Sequence, residues 1–128
     1  MAKVLIVDDN EAFRRLNAEF LKMDGHQVLM ARSGRETVDL VRQEHPDIVL
    51  LDIMMPGIDG YEVCRQVKSD PDIQDTMVVM VTALSESERF KSYQAGADGY
   101  VTKPISPRDM RAMVKDLVAR RPRGENAR

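Results

Sequence analysis

One cysteine, two histidines and no tryptophan occur in 128 residues. A lone Cys64 excludes an internal disulfide and any cysteine-built metal cage. His26 and His45 are too few and too scattered for a histidine-rich metal site. No apolar run approaches the roughly 20 residues that a spanning helix needs. The N-terminal MAKVLIV, one lysine and a short apolar run ending at Asp8-Asp9, lacks a signal peptide's architecture, so a cytoplasmic location is the expectation. Glycine is missing from DDNEAF, which excludes a glycine-rich phosphate loop after the first apolar run. The net charge of −2 gives no footprint for nucleic acid. Charge is nevertheless uneven: residues 119–128 set Arg120, Arg121, Arg123 and Arg128 against Glu125, for +3, which leaves −5 on the rest. A flexible, solvated basic tail over residues 121–128 is expected, beyond one domain spanning residues 1–120.

What remains is 43% apolar and 31% charged, enough for one core but not two. Short apolar runs alternate with amphipathic stretches. Lys3 to Val7, Gln27 to Ala31, Ile48 to Leu51, Met77 to Val81 and Gly99 to Thr102 read as strands. Between the first two, Phe13, Leu16, Phe20 and Met23 recur at spacings of three and four, predicting a helix with that stripe inward, closed by Gly25. Ser33 with Glu36, and Ser85 with Glu88, have the form of capping boxes that open two further helices. Gly60, Val63, Cys64 and Val67 mark another helix face. Ser106-Pro107 opens a last helix with a stripe of Met110, Met113, Val114, Leu117 and Val118. Five such alternations predict an α/β fold: a parallel sheet, buried on both faces by helices. In a doubly wound sheet of this kind ligands bind at the carboxyl ends of the strands.

The strand ends carry the chemistry. The first stops at Asp8-Asp9, the third at Asp52, the fourth at Thr82 and the fifth at Lys103. Each alone has a plain explanation: a strand stop, a cap, a solvated charge. Together they aim three carboxylates, a hydroxyl and an ammonium at one sheet edge. Clustered carboxylates repel one another unless a cation sits among them, and all-oxygen ligands suit a hard, partly hydrated ion such as Mg²⁺. Lys103 adds a positive charge and Thr82 a donor, a set able to stabilise a phosphoryl group passing onto a carboxylate to leave an acyl phosphate.

In these residues the chain resembles the receiver domain of two-component response regulators, over roughly residues 3 to 118. The resemblance rests on Asp8-Asp9, on Asp52-Ile53-Met54-Met55-Pro56-Gly57-Ile58-Asp59-Gly60, on Val81-Thr82-Ala83, and on Gly99-Tyr100-Val101-Thr102-Lys103-Pro104. It implies a (βα)5 sandwich with strand order 2-1-3-4-5. It also implies that Asp52 accepts a phosphoryl group from a sensor histidine kinase or phosphotransfer protein. Asp8, Asp9, Asp52 and the backbone carbonyl of Met54 would hold Mg²⁺, with Mn²⁺ able to replace it. Lys103 would pair with phosphoryl oxygens, Thr82 and Tyr100 would act as the switch, and Lys103-Pro104 would be a cis peptide bond. The surface of the fourth helix, fifth strand and fifth helix, carrying Glu86, Arg89, Lys91, Arg108, Arg111 and Lys115, would meet a downstream protein or output domain. Those charges suit a solvated face equally, so monomer and phosphorylation-dependent dimer both stand.

Two apolar residues at tuning positions, Met54 and Leu84, imply slow loss of the phosphoryl group. An aspartyl phosphatase would want a second carboxylate where Met54 stands. Phosphotransfer onto Asp52 and its reversal would then be the chain's only chemistry, not enzymatic turnover of another substrate. A pseudo-receiver that binds partners without phosphate is the alternative. About ten residues follow Val118, so no DNA-binding or catalytic output domain is expected in this chain, which acts alone or is part of something longer. Elsewhere plain readings prevail: Pro56-Gly57 as a turn, Gly60 as a small packing residue, Cys64 and Met80 as core, His26 as a turn residue.

Overall fold

The computed structural model describes residues 1–55, 59–83 and 87–120. Five strands and five helices alternate along it. They are β1 (Lys3–Val7), α1 (Glu11–Met23), β2 (Gln27–Ala31), α2 (Gly34–Glu44), β3 (Ile48–Leu51), α3 (Gly60–Ser69), β4 (Met77–Thr82), α4 (Glu88–Gln94), β5 (Gly99–Thr102) and α5 (Pro107–Arg120). All strand pairs are parallel, in the order β2-β1-β3-β4-β5. β4 runs one residue further than the sequence predicts, to Thr82. No helix among the described residues is long and apolar enough to cross a membrane.

Side-chain alternation along each strand divides the core into two layers. Leu5, Val7, Val49, Leu51, Val78, Met80 and Tyr100 pack under α2, α3 and α4 with Val38, Val41, Val63, Cys64 and Val67. Val4, Ile6, Ile48, Leu50, Val79 and Val81 pack under α1 and α5 with Ala18, Leu21, Met110, Val114 and Leu117. β3 is buried at every position, so a strand with no solvent face holds Asp52 at its end. Burying each of its leucines contributes roughly 1.5–3 kcal/mol.

Local chemistry fixes the helix ends. Asn10, Ser33, Asp59 and Ser106 each accept a backbone N–H of the first turn through the side chain. At Ser33 the reciprocal half of the capping box is displaced: Glu36 accepts from the N–H of Arg32. Gly25 and Gly96 follow α1 and α4 with φ of +89° and +101°, a region that suits glycine. α4 begins at Glu88, and the capping serine expected for it, Ser85, lies outside the described residues, as do Pro56, Gly57, Leu84, Glu86 and residues 121–128.

Two expectations about helix faces need correcting. α1 buries Arg14, Asn17, Ala18 and Leu21, not the stripe of Phe13, Leu16, Phe20 and Met23. Leu16 and Met23 are exposed, at 50% and 70%, and the two phenylalanines lie at the rim. The two stripes are offset by one residue, about 100° around a helix. The polar members of the inner one bond locally: Arg14 donates to the Asp8 carbonyl at 2.6 Å and the Asn17 amide N–H to the Phe13 carbonyl at 2.9 Å, while the Asn17 Oδ1 is buried without a partner among the described residues. Arg111 likewise leaves the face assigned to it. It pairs with Asp24 at the end of α1 at 2.7 and 3.0 Å, with its guanidinium 5.6 Å from the Phe20 ring centroid. Lys115 lines the groove beside this pair, between α5 and the turn that follows α1.

Candidate functional site at the carboxyl edge of the sheet

The acidic group is assembled by adjacent strands. Asp8 follows β1, where its N–H donates to the Ala31 carbonyl, and Asp52 follows β3, where its N–H donates to the Val7 carbonyl at 3.0 Å. Both carboxylates continue the alternation of Ile6 and Leu50 toward the α1 and α5 side, and both residues are buried, whereas Asp9 is exposed. Carboxylate oxygens of Asp8, Asp9 and Asp52 all lie within 4.8 Å of one another. That spacing and all-oxygen donor set fit a hard divalent cation such as Mg²⁺.

Lys103 arrives from β5. Its N–H donates to the Thr82 carbonyl at 2.7 Å, and the Lys103–Pro104 bond that follows is cis. The ammonium lies 2.5 Å from Asp8 Oδ2 and 3.2 Å from Asp52 Oδ2. Burial works to lower the Lys103 pKa, but the Asp8 hydrogen bond and the charges of Asp52 and Asp8 outweigh it, so the group is held above its ordinary value. Lys103 therefore offsets one of three negative charges.

The loop after Asp52 is held close to it. The Met54 N–H donates to Asp52 Oδ1 at 3.0 Å, which turns that peptide toward the carboxylate, while the Met54 side chain is 59% exposed. Gly60 opens α3 against this loop. A Cβ there would stand 2.7 Å from the Ile53 Cα and 3.1 Å from the Asp52 carbonyl oxygen, so Gly60 is the small packing residue expected, and the backbone it packs against is that of Asp52 and Ile53.

Thr82 and Tyr100 follow the other alternation. Thr82 is fully buried at the end of β4, and Tyr100 is 5% exposed and paired in register with Met80 under α3 and α4. The Arg89 guanidinium lies 5.1 Å from the Tyr100 ring centroid, linking α4 to β5. Close by, the Tyr61 hydroxyl donates to Glu88, joining α3 to α4. Burial and this bond to an anion push the Tyr61 pKa well above the ordinary tyrosine range.

Three contacts escaped the sequence reading. Asn10 caps α1 while its own N–H donates to Asp8 Oδ1 at 2.9 Å. Arg14 holds the Asp8 carbonyl. The Phe13 ring centroid lies 4.3 Å from the Lys103 ammonium. Only the first had a local signal, an Asn before a helical stretch. The other two depend on where α1 lies on the sheet.

Residues 4–115 match the model of the family described as the response regulator receiver domain. Among curated proteins, the Probable transcriptional regulator ycf27 of Guillardia theta is 42% identical over 92% of this chain and 46% of its own length. Response regulator MprA of Mycolicibacterium vanbaalenii is 41% identical over 92% of this chain and 51% of its own. The chain thus spans about half the length of these relatives. The solved structure of the chemotaxis response regulator CheY4 of Vibrio cholerae superposes with a TM-score of 0.86 at 28% identity, covering 91% of this chain and 98% of that one.

Proposed function

The chain belongs to the response regulator receiver domain family of two-component systems, and from that premise we propose that Asp52 is its phosphoacceptor. The donor is a phosphohistidine on a sensor kinase or phosphotransfer protein. One observation carries the reading: three strand ends bring Asp8, Asp9, Asp52 and Lys103 to a single point at the sheet's carboxyl edge.

In the transfer the P–N bond of the phosphohistidine breaks and a P–O bond to an Asp52 oxygen forms, with imidazole as the leaving group. The rigid β3 strand presents Asp52 for in-line attack, and the Met54 N–H on Oδ1 leaves Oδ2 facing Lys103. Lys103 is placed to shift from the carboxylates onto the incoming phosphoryl oxygens, where charge accumulates. Asp8, Asp9 and Asp52, with the Met54 carbonyl, would hold Mg²⁺. When bound, that ion neutralises the cluster and stabilises the phosphoryl charge.

Phosphorylation replaces about one negative charge by about two at Asp52. Thr82, on the strand beside it, and Tyr100, under α4, are the residues we assign to reporting that change. Arg89 and α4 then carry it to the α4-β5-α5 face, where a downstream partner or output domain reads it. The exchange takes place in the cytoplasm, and the chain acts as a phosphoacceptor, not as an enzyme on a third substrate.

Intact mass after incubation with acetyl phosphate tests this. A gain of one phosphoryl group that needs Mg²⁺ and is lost in Asp52→Asn supports the proposal. No gain under any condition leaves a pseudo-receiver that acts by binding alone.

A further inference from the structure

We propose that Phe13 is a positioning residue for Lys103, holding the ammonium over the phosphoacceptor; this rests on the function proposed above. Phe13 is half-buried: one part of the ring packs against the core layer under α1 and α5, and its face is turned to Lys103. Its ring centroid is 4.3 Å from the Lys103 nitrogen, well inside the range of a cation–π contact. The Lys103 side chain is 20% exposed, so the contact is made in a partly desolvated setting.

The ring is tied to the acidic loop through the backbone. Asn10 accepts the N–H of Phe13 at 3.0 Å, and the N–H of Asn10 donates to Asp8 at 2.9 Å. The circuit closes when Lys103 meets Asp8. Asp8, Asn10, Phe13 and Lys103 therefore fix one another, and the lysine is steered by a residue that follows Asp9 by four positions.

A ring face serves this purpose better than a further carboxylate. A long lysine side chain retains rotamer freedom that must be lost before it acts. A carboxylate would hold it by a directional hydrogen bond and compete with the phosphoryl oxygens. The π face attracts the ammonium without demanding a hydrogen-bond direction. Lys103 can thus pass from Asp8 and Asp52 to an incoming phosphoryl group while staying over the ring.

Phe20 supplies the internal control. It lies seven residues along the same helix and meets Arg111 at 5.6 Å, at the end of α1 remote from the acidic cluster.

The test combines phosphorylation rates with acetyl phosphate and NMR of the Lys103 ε-methylene. A small-molecule donor removes any contribution of α1 to docking a kinase. Phe13→Leu is expected to slow phosphoryl uptake roughly three- to tenfold, in keeping with loss of a cation–π contact. Phe13→Tyr, which keeps the ring, retains the wild-type rate, and Phe20→Leu leaves it unchanged; urea midpoints for all three report folding separately. The ring also displaces the Lys103 ε-methylene protons upfield in the wild type, and Phe13→Leu returns them to the ordinary lysine position. Equal rates in wild type and Phe13→Leu, or an undisplaced Lys103 signal in the wild type, overturn the inference alone. A wild-type chain that takes up no phosphoryl group overturns the proposed function and this inference together.

Discussion

Replacing Asp9 by asparagine separates what the acidic cluster costs from what it does. Asp9 makes no hydrogen bond or ion pair among the described residues, so the substitution removes a charge and little else. Its carboxylate stands within 4.8 Å of Asp8 and Asp52, whose two charges are reduced to a net of one by Lys103. Two unit charges at that separation repel by about 0.9 kcal/mol at the dielectric of water and about 3.5 kcal/mol at the effective dielectric of protein sites. Because Asp9 is exposed, the lower end governs. Without divalent ions, Asp9→Asn should therefore be more stable than the wild type by about 1 kcal/mol, or roughly 3–5 °C in Tm. With Mg²⁺ the order should change. The wild type gains about 2.7 kcal/mol when the ion stands about 100-fold above its Kd, and the variant gains much less at the same concentration. Thermal unfolding with EDTA and with Mg²⁺ measures both effects. A variant less stable than wild type in EDTA refutes the repulsion, and equal Mg²⁺ increments refute a role for Asp9 in holding the ion.

Three further substitutions and reactions follow from the same geometry. Gly60→Ala would press a methyl group onto the Ile53 backbone at 2.7 Å; a loss of about 1–3 kcal/mol in urea unfolding and slower phosphorylation are expected, and an unchanged midpoint would show that the loop yields freely. Burial pushes the Cys64 thiol up to about 11, so alkylation in mildly alkaline buffer should be negligible in the native protein and fast in urea. Rapid native labelling would contradict the core assignment. Met54 and Leu84 are apolar and neither side chain can itself orient an attacking water; if Asp52 is phosphorylated as proposed, the wild type should decay more slowly than the double variant Met54→Asn, Leu84→Glu. Equal decay would remove that explanation.

Much of this molecule is legible in the chain because burial on both faces leaves a plain signature. Val4 to Val7 and Ile48 to Leu51 are continuous apolar runs, and the strands read from them, Lys3–Val7 and Ile48–Leu51, match the structure to the residue. The α3 stripe of Gly60, Val63, Cys64 and Val67 is likewise the buried set. The site follows from where those runs stop, since a carboxylate ending a buried strand has few other reasons to be there. α1 is less legible because its inner face contains Arg14 and Asn17, whose N–H groups donate to backbone carbonyls nearby in the chain. Periodicity of apolar residues cannot register a buried arginine. Nor can periodicity register that the half-buried Phe13 and Phe20 also meet cations, because their partners, Lys103 and Arg111, lie about 90 residues away in the chain. Nor does the composition of the last helix say that Arg111 turns toward Asp24.

Asp52 is the carboxylate proposed to carry the phosphoryl group. Three lie within 4.8 Å, so total uptake does not by itself identify the acceptor. Treating the phosphorylated protein with borohydride converts an aspartyl phosphate to homoserine, and peptide mapping by mass spectrometry then locates it. Conversion at Asp52 alone, dependent on Mg²⁺, is expected. Conversion at Asp8 or Asp9, or at no aspartate despite an added phosphoryl mass, would contradict it.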